Sequence, residues 1–403
     1  MSRITVVLAL ACAVLCASTV WGQDESTSGD GTVQEQVATT LGTTSTAAQQ
    51  PELQQQIDEL RAKLGELEAK LAESKESTSR ELYAIDDAQK KLATGEKVKI
   101  SGYVQAQFTS DDAADPETDF RVRRARLKIE APVTDMAALT LQVDATRSVD
   151  LKDAYLDLGH SSDVWRLRLG QSKVPFMYEV LESSSSRLEP ERTALATTLF
   201  PGERDQGAWM QLSNILGDSI PGATLDVGFQ NGAGANTADN NDSKDVVARL
   251  RVPIGNTPPE KSTEADSVYI AYLNGELTDP KTAVTTDKTF LGGGISKVFG
   301  PVWLRGEAVT GKHLGHDVLG WYVHAACEIP GTSGTVFARY ERFDENRDAS
   351  GDLFKDLTLG YQHQIDPKTR AIVAYELRDP ETAYSKFAKT DGNVLTLRLQ
   401  VKY

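Results

Sequence analysis

Cysteine is almost missing from this chain. Three occur in 403 residues, and Cys12 and Cys16 fall in an apolar N-terminal stretch. Cys327 is left alone, so the remainder can form no internal disulfide and no cysteine metal cluster. Long apolar runs are also missing. Beyond residue 22 nothing approaches the ~18 apolar residues that read as a membrane-spanning helix. A basic excess is absent as well. The formal net charge is -15, which argues against nucleic-acid binding, because phosphates need a net basic face. No glycine-rich phosphate loop stands between a strand pattern and a helix pattern. Histidine is scarce. His313 and His316 lie three apart in a loop, without a matching third ligand nearby. His324 sits on a polar strand face with no marked serine to serve, and His160 and His363 fall at strand ends or exposed positions. No catalytic set, metal or cofactor is expected, and the chain does not read as an enzyme.

What is present begins with a targeting pattern. In residues 1–22, Arg3 supplies the positive start, Ile4 to Val20 is apolar and small, and Val20-Trp21-Gly22 precedes Gln23. This predicts a secretory signal peptide and export. Leu15 before Cys16 is too large for the usual lipoprotein signal. Residues 23–50 are rich in Ser, Thr, Gln and Gly and read as a flexible linker. Over residues 51–75 the apolar positions Leu53, Ile57, Leu60, Leu64, Leu67 and Leu71 follow a 4, 3, 4, 3, 4 spacing with charged residues between them. That is the seam of a short α-helical coiled coil, placed on the periplasmic side and possible as a trimer. A single amphipathic helix is the competing reading. Residues 76–96 form a connector.

From residue 97 to 403 the period becomes two. Lys97 to Phe108 alternates, and at the other end Leu395, Leu397, Leu399, Val401 and Tyr403 face one way, with Thr396, Arg398, Gln400 and Lys402 opposite. Strands this long and regular match the tilted strands that cross a membrane. About 16 such segments can be traced, an even number suited to a closed wall without edges. Connections after even-numbered segments are mostly short, and those after odd-numbered segments are mostly longer, including Ser172–Gln206, Asn231–Lys244 and Gly275–Lys288. The pattern predicts an all-β fold: a 16-stranded antiparallel transmembrane β-barrel preceded by the coiled coil.

The polar face must then be the lumen, since a charge on the lipid face costs about 2–4 kcal/mol near the bilayer midplane. That face carries Lys97, Lys99, Arg121, Arg123, Arg126, Lys128, Arg166, Arg168, Arg249 and Arg251, with Arg305, Arg339, Arg370 and Arg398 further along. The acidic set is smaller: Asp144, Asp153, Asp157, Asp226, Glu307, Glu341 and Glu376. In Phe120-Arg121-Val122-Arg123-Arg124-Ala125-Arg126-Leu127-Lys128 the phase flips between Arg123 and Arg124, and a β-bulge there would turn both halves inward. The planar Arg fork suits phosphate and carboxylate, so these residues are candidate anion contacts. The alternative is that Arg and carboxylate rows brace one another across the lumen. The connection Ser172–Gln206 carries Lys173, Arg187, Arg192 and Arg204, five glutamates and a set of apolar residues. A connection this long is commonly functional, and here it is expected to fold inward and narrow the pore.

Several motifs look familiar. Phe120 to Leu127, Leu151-Lys152-Asp153-Ala154-Tyr155-Leu156-Asp157, Leu169-Gly170-Gln171-Ser172-Lys173-Val174-Pro175-Phe176, Arg204-Asp205-Gln206-Gly207, Asn231-Gly232 and Val247-Ala248-Arg249-Leu250 resemble the phosphate-selective porin O and P family. Ala338-Arg339-Tyr340-Glu341-Arg342 and Leu357-Thr358-Leu359-Gly360-Tyr361 look similar too. The resemblance implies a homotrimer of barrels in the bacterial outer membrane, in contact with its lipid, that passes small anionic solutes by diffusion. It also implies recognition of an aromatic terminus by the barrel-assembly machinery, with Tyr403 where Phe is commoner. A secreted, soluble, β-rich binding protein oligomerised by its coiled coil is the alternative. It predicts loops without parity and strands polar on both faces.

Overall fold

In the computed structural model the described residues are Lys63, Gly65, Lys70 and the span 98–403, less 147, 160–163, 256–265, 280–281, 382–383 and 385–391. The signal peptide, the linker, the six seam residues Leu53 to Leu71, Lys97 and His160 lie outside the described residues. Residues 1–84 and 85–403 are separate compact units. In the first unit, Lys63, Gly65 and Lys70 are helical.

In the second unit, the alternating segments become strands because β-branched and aromatic residues fit a pleated surface with one apolar and one polar face. Among the described residues sixteen strands are formed: β1 Lys99–Asp111, β2 Thr118–Pro132, β3 Ala137–Asp144, β4 Asp150–Leu158, β5 Trp165–Lys173, β6 Arg204–Ser213, β7 Thr224–Gln230, β8 Asp245–Pro253, β9 Ser267–Thr278, β10 Thr285–Phe299, β11 Val302–His313, β12 His316–Glu328, β13 Gly334–Asp344, β14 Leu353–Gln364, β15 Thr369–Pro380 and β16 Val394–Lys402. Each pairs antiparallel with its sequence neighbours, and β1 closes on β16 with Tyr103 opposite Lys402 and Asp111 opposite Val394. Closure gives every strand two partners, so no row of backbone N–H and C=O groups is left unpaired.

The two faces differ as the alternation requires. Val104, Leu139, Ile270, Leu291, Val323, Leu359, Leu399 and Val401 are exposed on the outside. Gln105, Arg124, Arg126, Asp144, Arg249, Glu307, Arg339, Thr396 and Arg398 are buried on the inside. The expected bulge lies in β2: the β1 register passes from Gln105 opposite Arg124 to Ala106 opposite Val122, leaving Arg123 as the extra residue.

Three expectations are corrected. Lys173 and Arg204 are not loop residues. The β5–β6 ladder runs on until these two face each other, so the loop proper is residues 174–203. The β9–β10 connection is shorter than Gly275–Lys288, because the hairpin continues to Thr278 opposite Thr285. His313 and His316 stand opposite each other at the ends of β11 and β12 rather than in a loop. In the last two cases polar residues continue a hairpin into water, where nothing in the alternation marks its end.

Candidate functional site

Loop 174–203 lies inside the wall. It carries two short helices, α1 Tyr178–Leu181 and α2 Ala194–Leu199. Thr193 caps α2, its Oγ1 accepting from Ala196 N at 3.1 Å. At the same helix start, Ala194 N donates to the wall carboxylate Glu341 at 2.8 Å. One face of the loop is apolar. Phe176, Met177, Tyr178, Val180, Leu195 and Leu199 pack against Trp209, Tyr269, Leu273, Phe290, Val309, Tyr322, Phe343 and Phe354 of the wall. Burying that face explains why the loop turns inward rather than out to water.

The other face is held by charge. Glu191 accepts from Arg123 at 2.7 and 2.8 Å, from Arg124 at 2.9 Å and from Arg398 at 2.7 Å. It thus ties the loop to β2 and β16. Glu189 meets His324 of β12, Glu182 accepts from Arg305 of β11 at 3.0 Å, and Glu179 pairs with Arg339 of β13 at 3.4 Å. Wall donors also reach loop carbonyls: Arg370 to Arg187 O at 3.0 Å, Arg398 to Pro190 O at 2.6 Å and Gln105 to Ser184 O at 3.0 Å. In the reverse sense the wall residue Glu307 accepts from Tyr178 N at 2.6 Å, Glu179 N at 3.1 Å and Tyr269 Oη at 2.6 Å, and also from Tyr322 Oη.

These contacts set the loop's titration. Burial alone would raise the Glu191 carboxyl, but Arg124, Arg123 and Arg398 overcome it and hold it well below the usual carboxylate range. Burial likewise opposes Glu189 and Glu203. His324 with Arg339 and Arg305 outweighs it at the first, and Arg192 with Lys173 and Arg204 at the second, so both are held low. Burial pushes the Arg187 guanidinium down to about 9.

The remaining candidates fall into groups. Lys99 is exposed, 3.9 Å from Glu130, and Arg121 is exposed, 3.7 Å from Asp119. Lys128 pairs with Glu130 at 2.7 Å. Arg126 pairs with Asp144 at 3.1 Å, and Arg168 with Asp157 at 2.8 Å while lying 3.8 Å over the Tyr155 ring. Arg204 bridges Asp153 and Glu203, both at 2.8 Å. Arg192 joins Glu203 and donates to Glu179 O and Glu182 O at 2.8 Å each. Lys173 donates to Leu181 O and Glu182 O at 2.8 and 2.6 Å, and Arg187 to Glu189 O and Pro190 O at 3.1 Å each. Arg249 donates to Phe176 O at 3.0 Å and Arg251 to Gly222 O at 2.9 Å. Many of the arginines are therefore engaged by carboxylates and carbonyls of the protein itself.

Below the loop, at the end of the short turns, two cavities open. The larger, about 950 Å³, is lined by Arg166, Arg168, Lys173, Arg249, Arg251 and Arg305 against Glu182, Asp226 and Glu328. The smaller, about 450 Å³, is lined by Arg126, Lys128, Arg168, Lys173, Arg204 and Lys402 against Asp153. Trp209, Trp303 and Tyr178 also line the larger one, and the sequence reading did not single them out. Strand parity marks Trp209 as inward once β6 is placed, whereas Trp303 sits next to a turn and Tyr178 in the loop.

Residues 98–284 match the model of the family described as phosphate-selective porin O and P. The search of curated proteins finds no match. Among solved structures, the barrel is similar to OmpF of Salmonella typhi in complex with daunomycin, at 12% identity and TM-score 0.60, covering 77% of this chain and 98% of that one. It is similar to a loop L8 deletion mutant of OmpT, an outer membrane protein of Vibrio cholerae, at 12% identity and TM-score 0.55, covering 76% and 99%. It is also similar to the trimer form of OmpT of Vibrio cholerae, at 12% identity and TM-score 0.53, covering 77% and 100%.

Proposed function

We propose, with the phosphate-selective porin pattern of residues 98–284 and the closed barrel as premises, that this chain is an outer-membrane channel for passive diffusion of small solutes, with anions preferred. The observation that carries anion preference is the lining of the larger cavity, where six cations face three carboxylates. Cations lining a narrow wet passage concentrate anions and repel cations. The acidic total of the chain does not oppose this, because selectivity is set by the charges along the path.

Loop 174–203 is the constriction in this reading, with Arg187 and Arg192 inside it and Lys173 and Arg204 at its base. Arg123, Arg124 and Arg126 would act on passing anions as part of a network that also holds the loop. Phosphate-like anions are one class of solute for such a path. The trimer form of Vibrio cholerae OmpT supports a homotrimer here, and the seam over residues 51–75 offers a second means of association. The exposed apolar belt supports lipid contact, and the apolar start of the chain supports export. The soluble alternative leaves that belt in water. Tyr403, exposed at the barrel end, is the residue through which assembly machinery would recognise the chain. The test is the zero-current potential of the reconstituted protein in a planar bilayer under a KCl gradient. A potential of the chloride-permeable sign is expected. A cation-selective sign contradicts anion preference, and the absence of conductance contradicts the channel.

A further inference from the structure

The larger cavity has two unlike walls. On β5 to β8 it is polar and cationic. The register sets Arg168 beside Trp209, and Arg166, Gln211, Asp226 and Arg249 in one row across the four strands. The opposite wall is mixed, with an apolar patch set among Arg305, Glu328, Thr335 and Gln362. Trp303 packs on a cluster that includes Leu188 and Ala326, and all three line the cavity. Trp303 uses its own N–H on Ser296 Oγ at 2.8 Å, and the Arg305 guanidinium lies 4.7 Å over its ring, so what it offers the cavity is the remaining ring surface rather than a donor.

Three donors lining this cavity have no acceptor among the described residues: Arg166 Nε, Trp209 Nε1 and Arg305 Nε. Trp209 is 5% exposed and Arg305 is 6% exposed, so water does not bathe them freely. A buried donor without a partner is costly to the fold, which favours any ligand that brings an acceptor. All three are N–H groups, and two belong to cations, so the missing group is an anionic oxygen. Trp209 is also fixed in place. Its indole lies across Gly228 of β7, where any side chain would overlap it. An inorganic anion would satisfy the donors and leave the Trp303–Leu188 wall unused. A cavity of about 950 Å³ is also far larger than such an ion needs.

We infer that this cavity is a subsite for organic carboxylates with an apolar body. The carboxylate is taken by the Arg166 and Trp209 donors on the β5–β6 side, and the body lies against Trp303 and Leu188. The inference rests on the anion-channel reading and names the class of solute that pauses on the path.

The test is blocking of chloride current in a planar bilayer by benzoate, acetate and inorganic phosphate, each titrated alone. Benzoate is expected to block at a concentration about tenfold below that of acetate or phosphate, since burying a ring adds apolar contact that neither competitor has. Trp209→Phe keeps the ring and removes the N–H, and should raise the half-blocking concentration of benzoate by about tenfold. Arg166→Gln, at a partly exposed position, should do the same and guards against a Trp209 variant that fails to assemble. Equal blocking by the three anions, or benzoate blocking unchanged in both variants, overturns the inference while leaving an anion-selective channel intact. A wild-type channel that selects cations overturns the reading beneath it.

Discussion

Glu191 is a single carboxylate facing three guanidinium groups, from Arg123, Arg124 and Arg398. Its depressed pKa follows from that crowd, and the sign of its pH dependence follows from the pKa. A carboxylate lowered on folding stabilises the folded arrangement above its ordinary value of about 4.3 and loses that contribution as pH falls through the lower folded value. Glu191, Glu189 and Glu203 all shift in this direction. These three groups should therefore contribute no step in single-channel conductance between pH 7 and about pH 5, and a step in that interval that Glu191→Gln abolishes would refute the pinning. Glu191→Gln should free the loop and unmask cations together. We expect higher conductance and stronger chloride preference in zero-current potentials, and weaker preference would count against the assignment. The inward-facing arginines were legible in the sequence through period two and the phase flip at Arg123-Arg124. Their partners were not. Glu191 lies 67 to 207 residues from the arginines it meets, and no local pattern links residues so far apart.

Loop 174–203 is the element on which the channel reading turns. Its length and its mixed apolar and charged content pointed to a packed, inward segment, and those residues meet the wall. Its true ends were not legible, because Lys173 and Arg204 continue a ladder that polar residues neither favour nor stop. Glu307 shows how firmly the loop is seated, since one wall carboxyl takes two loop N–H groups and two tyrosine hydroxyls. Glu307→Gln should weaken several of these bonds, and bonds to a charged group contribute about 1.5–3 kcal/mol each. The expected outcome is greater noise in the open-channel current and earlier cleavage of loop 174–203 by protease, with strand content by circular dichroism unchanged. An unaltered cleavage rate would show that the Glu307 bonds are not needed to hold the loop. Gly228→Ala tests a neighbouring element. A methyl there meets the Trp209 ring, and overpacking of this kind costs about 1–3 kcal/mol. The variant should lose its heat-modifiable gel migration at a lower temperature than the parent.

At the scale of the whole molecule, sixteen strands close because each carries one apolar and one polar face and no edge can be left in a bilayer. Strand number and pairing order were legible from alternation and turn spacing. The strands that overran their expected ends, chiefly β9 to β12, did so where the wall rises into water and the lipid-facing constraint ends. A charge on the outer belt should be expensive: Leu399→Arg is expected to destabilise the folded barrel by about 2–4 kcal/mol if it sits near the midplane, measured by urea unfolding in vesicles. The most direct test of the account is a spin-label scan of residues 395–401 in a Cys327→Ser background, read by collision with oxygen, which concentrates in lipid. High collision rates at Leu395, Leu397, Leu399 and Val401, with low rates at Thr396, Arg398 and Gln400, are the predicted result. The opposite phase, or rates without a two-residue period, would contradict a barrel whose polar face is turned inward.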